Sequence, residues 1–165
     1  MGCGVEVIDR PFHLSTDFST SVSALKHVLD SLPREEVEIV ILLQPTNPLR
    51  PEKLLQEAFD KFEEGCYESL MTVTEVRQKL GRIIEGRYIP VNYKIGERSQ
   101  DLEPLYFENG LLYIIKSSLI LENKLLGEKN FSFIVHHPYS NVDIDELQDL
   151  DYAEFLLRKE NRKNK

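Results

Sequence analysis

The stretch "VEIVILLQPTNPLRPEK" at residues 37–53 decides which fold the sequence predicts. Its first seven residues are almost all apolar and several are β-branched, as is typical of a parallel strand covered on both faces. A turn with three prolines follows, and apolar residues then recur at helical spacing up to Phe62. A strand, a turn and a helix in this order form half of a βαβ unit. The stretch therefore predicts an α/β protein.

The segments before this stretch predict one strand and one helix. The strand is expected at Val5, Val7 and Ile8, ahead of a proline. The helix is expected in "STSVSALKHVLDSL", with Ser19 or Thr20 as its N-cap.

The segments after this stretch continue the alternation of strands and helices. A helix is expected to begin at Pro51 and to end at Gly65, and the last helix is expected to bury a broad apolar side that includes Leu147 and Phe155. A short helix is predicted from "SSLILEN" and a hairpin from "RIIEGRYIPV", with Glu85 and Gly86 at its tip. Further strands are predicted from "SLMTVTEV", "GLLYIIK", "FSFIV" and "NVDID".

The order of these elements predicts a mostly parallel, Rossmann-like sheet. One domain is expected at residues 1–158, followed by a basic tail at residues 159–165. A doubly wound sheet usually opens with a strand and a phosphate-binding turn, and the opening "MGCGVEV" supplies neither. The first βαβ unit is therefore predicted to be missing.

Charge and cysteine content exclude several classes of protein. The net charge is −8 and the basic clusters are short, which argues against a general nucleic-acid or anionic-membrane surface. Apolar runs fall short of a membrane span, and no signal peptide is recognisable. Cys3 and Cys66 lie far apart and have no metal-ligand spacing. These features predict a cytoplasmic protein with free thiols.

Gln44 is a polar residue at the end of an apolar strand. In parallel α/β sheets ligands bind at the carboxyl ends of the strands, and an amide with two donors and one acceptor suits a sugar or a carboxylate. A hydrogen bond from Gln44 to the turn backbone explains its position equally well.

Asp143 and Asp145 lie two residues apart in an extended segment, so both carboxylates are expected on one face. Two oxygen ligands on one side suit a Mg²⁺ that also carries phosphate oxygens and water. The alternative is a capping box, in which Asp145 and Gln148 cap the last helix. The spacing alone does not choose between them.

Four motifs resemble those of one enzyme family. "LLQPTNPLR" is very similar to the LLQPTSPLR signature of the CMP-sialic acid synthetases, also called acylneuraminate cytidylyltransferases. "VDIDELQDLDYAEFLL" resembles their closing D-I-D-T-x-x-D-L-x-x-A-E segment. "RSQDLEPLYFENGLLYI" is similar to R-Q-x-L-P-x-x-Y-R-x-N-G-A-I-Y-I, and "RPFHLSTDFSTSVSALKHVL" to R-P-x-x-L-A-x-D-x-x-S-S. The motifs keep the family's order and cover nearly the whole chain.

The resemblance implies a reaction and a set of roles. Such enzymes transfer CMP from CTP to a nine-carbon ulosonic acid and release pyrophosphate, with Mg²⁺ as cofactor. They form homodimers through a protruding arm, here at about residues 77–106. By position, Asp143 and Asp145 match the metal carboxylates. The residues that match the sugar side are Gln44, Lys79, Arg98, Asn109 and Tyr113, and those that flank the cytidine are Arg10, Ser19 and Ser21.

One family motif has no counterpart. The glycine- and lysine-rich opening L-A-x-R-x-G-S-K-x-x-x-x-K-N, which wraps the triphosphate, does not occur in this sequence. The resemblance therefore implies an N-terminally truncated chain with impaired activity. The alternative function is a non-catalytic dimerising or regulatory relative. The ulosonic acid that accepts CMP can be sialic, legionaminic or pseudaminic acid or another related acid.

Overall fold

The computed structural model describes residues 4–16, 18–33 and 37–163. Strands and helices alternate along the chain, as expected for an α/β protein. The strands are β1 (Ile39–Leu42), β2 (Ser69–Val76), β3 (Gly81–Ile84), β4 (Arg87–Pro90), β5 (Leu105–Lys116) and β6 (Asn130–Ile134). The α-helices are α1 (Ser21–Ser31), α2 (Leu54–Glu64), α3 (Ser117–Leu121) and α4 (Leu147–Lys163).

The main sheet has the strand order β1-β5-β2-β6. β1 and β5 are antiparallel, with Leu42 opposite Tyr113. The bond from the Lys116 amide to the Glu68 carbonyl, 3.0 Å, joins the end of β5 to the start of β2, so these strands are antiparallel too. β2 and β6 are parallel, because Glu68 bonds Lys129 and Val135 bonds Val73 further along both strands. Three of the four strands therefore run the same way, and the prediction of a mostly parallel sheet is confirmed.

The chain divides into two compact units, each built from separate stretches of sequence. The first takes the described residues of Met1–Leu43 with Lys53–Met71 and Leu112–Phe131. The second takes Gln44–Glu52, Thr72–Leu111 and the described residues of Ser132–Lys165.

In the first unit, α1 and α3 pack on the apolar side chains of β1 and β5. The buried residues of this cluster are Leu29, Tyr113, Ile115, Leu119 and Ile120. α1 begins where predicted, because the Thr20 hydroxyl accepts a hydrogen bond from the Ser23 amide at 3.3 Å.

In the second unit, α4 packs on the segment that precedes it. Its buried cluster contains Tyr139, Val142, Ala153 and Leu156. α4 continues through most of the predicted basic tail, and Arg158 pairs with Glu154 one turn earlier at 2.7 Å.

A two-stranded hairpin, β3 and β4, lies in the second unit and forms the predicted arm region. Glu85 and Gly86 occupy its tip with φ of 49° and 76°, the values that a two-residue type I′ turn requires. The amide of Asn92 closes its base, because it accepts from the Leu80 amide at 2.8 Å and donates to the Gln78 carbonyl at 2.9 Å.

Two predicted strands are absent from the described residues. Val5 and Val7 are 75% and 80% exposed and pair with no strand there. "NVDID" is not a strand either, since a 3-10 turn at Pro138–Asn141 runs directly into it. Both predictions relied on apolar alternation, which cannot show whether a neighbouring strand offers a free edge.

Two helix predictions were also wrong in detail. α2 begins at Leu54, because Pro51 lies in the preceding turn, although the helix does end at Gly65 as expected. α4 does not bury a broad apolar side. Leu147 and Phe155 are 86% and 58% exposed, since only Ala153 and Leu156 of this helix lie in the core cluster.

Replacing Thr20 with Ala should lower the free energy of unfolding by about 1 kcal/mol, because the cap of α1 is lost. Urea unfolding followed by circular dichroism measures this change, and Thr20→Ser serves as the control that keeps the hydroxyl. An equal loss in both variants would show that the methyl group matters and the cap does not.

Candidate functional site

A turn held by Arg50 follows β1. The backbone amide of Asn47 donates to the backbone carbonyl of Gln44 at 3.2 Å and closes the turn. Arg50 donates from Nη2 to the same carbonyl at 2.9 Å and from Nε to the Leu111 carbonyl at 2.7 Å. Burial lowers the pKa of the Arg50 guanidinium from its ordinary value. One side chain therefore fixes the turn to the backbone of β5.

Gly110 lets the Gln44 side chain lie against β5. Its φ is +68°, and a Cβ at this position would lie 2.1 Å from Gln44 Oε1 and 2.9 Å from Asn47 Nδ2. A glycine is required here for both its backbone angle and the close approach. Gln44 is half-buried, and its side-chain oxygen lies close to the backbone of β5 at Gly110.

Asn109, next to Gly110, anchors this part of β5 through buried hydrogen bonds. Its Oδ1 accepts from the Thr72 hydroxyl at 2.6 Å and from the Leu111 amide at 3.1 Å. Its Nδ2 donates to the Thr74 hydroxyl at 2.9 Å. The sequence suggested a sugar contact for Asn109. In this structure its amide has three partners within the protein, and the sugar contact stays a prediction.

Asp143 lies beside the same turn. The Ile144 amide donates to the Thr46 carbonyl at 2.8 Å and joins the two segments. Next to this bond, Asn47 Nδ2 donates to Asp143 Oδ1 at 3.3 Å. Asn47 is 1% exposed, whereas the Asp143 carboxylate is open to solvent. The turn therefore brings Gln44 and Asp143 together.

Asp143 and Asp145 are both exposed, while Val142 and Ile144 are turned inward. The predicted placement of both carboxylates on one face agrees with this alternation. The capping box has a different composition from the predicted one. The carboxylate of Asp149 accepts from the amides of Asp145 and Glu146 at 3.1 and 2.9 Å, and Gln148 donates to Glu146. The cap is therefore supplied by Asp149, and the Asp145 side chain is not needed for it.

The carboxylates of Asp143 and Asp145 suit a cation whose remaining ligands are phosphate oxygens and water. Within the described ranges, no group of three or more His, Cys, Asp and Glu side chains could hold a metal by itself. Mg²⁺ in nucleotide sites is bound through one or two carboxylates together with phosphates and water. The exposed pair Asp143 and Asp145 fits that requirement.

The two predicted basic residues of the arm have local partners. Lys79 donates to the Glu97 carbonyl, and its ammonium lies 5.3 Å from the centre of the Tyr93 ring. Arg98 forms a two-pronged pair with Asp101 at 2.7 and 2.9 Å. The structure thus places both side chains in contacts of the arm itself.

Four other predicted site residues lie in the first unit. Arg10 donates to the Ser15 hydroxyl at 3.2 Å, and the Ser19 hydroxyl accepts from the Thr16 amide at 3.1 Å. Ser21 is the exposed first residue of α1. Tyr113 is 3% exposed and belongs to the core cluster of this unit. The roles of these residues stay predictions.

A hollow of about 360 Å³ opens at the carboxyl ends of β2 and β6. Its lining includes Thr74, His136, His137 and Tyr152. His137 Nδ1 accepts from the Tyr139 amide at 3.2 Å, which fixes the ring beside the turn that precedes Asp143. The sequence pattern indicated no role for these histidines.

Solved structures define the class of fold. The chain is similar to 4-diphosphocytidyl-2C-methyl-D-erythritol synthase from Anaerococcus prevotii, with a TM-score of 0.55 and 16% identity, over 84% of this chain and 67% of that one. A second structure of a synthase of that name gives a TM-score of 0.59 at 13% identity and the same coverage. The fold is therefore that of these synthases.

The sequence is similar to two kinds of cytidylyltransferase, those named for N-acylneuraminate and those named for pseudaminic acid. The chain is 29% identical to the N-acylneuraminate cytidylyltransferase of Streptococcus agalactiae, over 96% of this chain and 41% of that protein. It is 27% identical to the pseudaminic acid cytidylyltransferase of Campylobacter jejuni, over 90% of this chain and 67% of that protein. The Escherichia coli N-acylneuraminate cytidylyltransferase is also 27% identical. No protein-family model matches the sequence.

The resemblance to the acylneuraminate cytidylyltransferases, predicted from four motifs, is thereby confirmed. The chain spans only about two fifths of the length of the Streptococcus relative.

Replacing Gly110 with Ala tests how closely the turn approaches β5. The variant should lose about 2–4 kcal/mol of unfolding free energy, because it adds a positive-φ penalty to a clash with Gln44. Gly86→Ala is the matched control, since Gly86 has φ +76° with open space around the added methyl. Urea titrations measure both, and equal losses would mean that the close approach contributes nothing.

Proposed function

We propose that this chain acts as a cytidylyltransferase that transfers CMP from CTP to a sialic-acid-like nine-carbon acid, with residues that bind the sugar and the metal. The observation that carries the proposal is the junction of Gln44, Asn47 and Asp143, which the Thr46–Ile144 hydrogen bond fixes. Relatives named for N-acylneuraminate and pseudaminic acid support an acidic nine-carbon sugar as the substrate class.

In the proposed chemistry, the turn after β1 binds the sugar and the two carboxylates bind the metal. Gln44 binds the sugar through its amide, which offers donors and an acceptor to hydroxyl and carboxylate groups. Asp143 and Asp145 hold Mg²⁺, which when bound offsets the negative charge that builds on the phosphate oxygens. The buried Asn109 network keeps the backbone beneath Gln44 rigid, so the sugar is presented in one orientation.

Triphosphate binding is not accounted for by the residues of this site. A glycine- and lysine-rich phosphate-binding motif is absent from the sequence, so turnover by the 165-residue chain alone should be slow. The alternative function is a non-catalytic, dimerising or regulatory relative. The relatives named as cytidylyltransferases support the enzyme over this alternative.

We further propose that the arm at residues 77–106 mediates a homodimer. Large apolar side chains are exposed on one face of the hairpin: Ile83 is 69% exposed, and Tyr88, directly opposite it on the partner strand, is 46% exposed. Exposed apolar residues that lie side by side on one face of a hairpin are typical of a protein interface.

The proposed location is the cytoplasm, in keeping with the exposed free thiol of Cys66. Within the described part of the chain, no helix is long and apolar enough to cross a membrane.

Replacing Asp143 with Asn should reduce turnover by about 100-fold or more, because a metal ligand acts mainly in the transition state. The assay follows CTP-dependent pyrophosphate release by this chain with several ulosonic acids. The melting temperature should stay constant, since Asp143 is exposed. Asp151→Asn, an exposed change on α4, is the control. Unchanged turnover in Asp143→Asn would exclude the proposed metal site.

Replacing Ile83 with Glu should weaken the dimer by about 10-fold or more, because a charge would enter the apolar contact. Sedimentation equilibrium measures the dissociation constant. Arg82→Gln on the same strand is the control, since neighbouring residues of a strand face opposite sides. A dimer that tolerates the glutamate equally well must use another surface.

A further inference from the structure

Asn47 has an unusual environment for a residue that is almost fully buried. Its Nδ2 donates to Asp143 Oδ1 at 3.3 Å, while its Oδ1 has no hydrogen-bond partner within the described residues. Buried side-chain oxygens are normally paired, because an unpaired one loses its bonds to water without replacement. An unpaired oxygen at this position therefore requires a physical reason.

The charge of Asp143 supplies that reason. Rotating the amide by half a turn would direct Asn47 Oδ1 at the Asp143 carboxylate, and two acceptors would then face each other at about the distance of the present bond. The observed orientation directs the donor at the carboxylate and leaves the acceptor inside. Backbone contacts hold both residues in register, because Thr46 and Ile144, their neighbours, share a hydrogen bond of 2.8 Å.

We infer that Asn47 is a positioning residue that orients the Asp143 carboxylate for a divalent cation, an inference that rests on the proposed function. The bond holds one carboxylate oxygen on the side of the turn and leaves the other for the cation. An exposed aspartate without such a partner samples several rotamers and loses that freedom when it binds. Partners of this kind commonly change metal affinity by about 10–100-fold.

The inference predicts opposite effects on stability and on cation binding. Asn47→Leu has nearly the same shape, removes the unpaired oxygen and removes the donor. Its melting temperature should equal or exceed that of the parent, because the unsatisfied buried group is gone. Its affinity for Mn²⁺ should fall by about 10-fold, since Asp143 is no longer held. A residue that merely supported the fold would show the reverse pattern.

The test is a double-mutant cycle on the 165-residue chain, with Mn²⁺ alone as the probe and its binding measured by electron paramagnetic resonance. We expect Asn47→Leu to weaken Mn²⁺ binding in the parent and to have no further effect in the Asp143→Asn background. Asn47→Ala should match the leucine variant in affinity and carries the test if the leucine variant does not fold. Asn130→Leu is the control for the loss of one side-chain bond at an exposed position, because Asn130 uses its Nδ2 for one bond, to the Gly127 carbonyl at 2.9 Å.

The possible results distinguish a failure of the inference about Asn47 from a failure of the proposed metal site. If Asp143→Asn leaves Mn²⁺ affinity unchanged, the proposed metal site is wrong, and the inference fails with it. If Asp143→Asn weakens binding while both Asn47 variants bind normally, the metal site stands and only the inference is overturned. A lower melting temperature with unchanged Mn²⁺ affinity, or an equal loss in the Asp143→Asn background, also overturns it.

Discussion

Arg50 makes the two hydrogen bonds on which the candidate site depends. Its guanidinium reaches the carbonyls of Gln44 and Leu111, so a turn rich in proline is tied to the strand that faces it. A planar group with several fixed donors can bridge two carbonyls in a way that a lysine cannot. Gln44 and Asn47 take their positions from this turn. Asp143 is then placed relative to them by the backbone bond between Thr46 and Ile144 and by its own bond to Asn47.

The site combines a rigid base with an open face. Asn109 and the hydroxyls of Thr72 and Thr74 form a buried network whose hydrogen bonds are made within the protein. Such networks are costly when incomplete and rigid when complete. The carboxylates of Asp143 and Asp145 lie on the exposed side, where a cation can reach them. The Asn109 amide is thus bonded to groups of the protein itself, whereas the carboxylates are open to a ligand.

Sequence reasoning succeeded where a residue's role depends on its immediate neighbours. The Thr20 cap, the hairpin tip at Glu85 and Gly86, and the strand that ends before Gln44 were all predicted from local patterns. It failed where the outcome depends on distant partners. The segment at Val5 and Val7 alternates like a strand but pairs with none in the described chain. The apolar residues of α4 likewise face solvent more than its periodicity indicated.

The sequence by itself determined the fold class, the family resemblance and the two carboxylates on one face, because strand periodicity, turn chemistry and motif spacing are local properties. Only the tertiary structure decided that Asn47 touches Asp143, that Gly110 makes room for Gln44, and that Asp149 caps α4. These contacts join residues brought together by packing. Asn47 and Asp143 are 96 positions apart, and no pattern along the chain records which atoms meet when such segments pack.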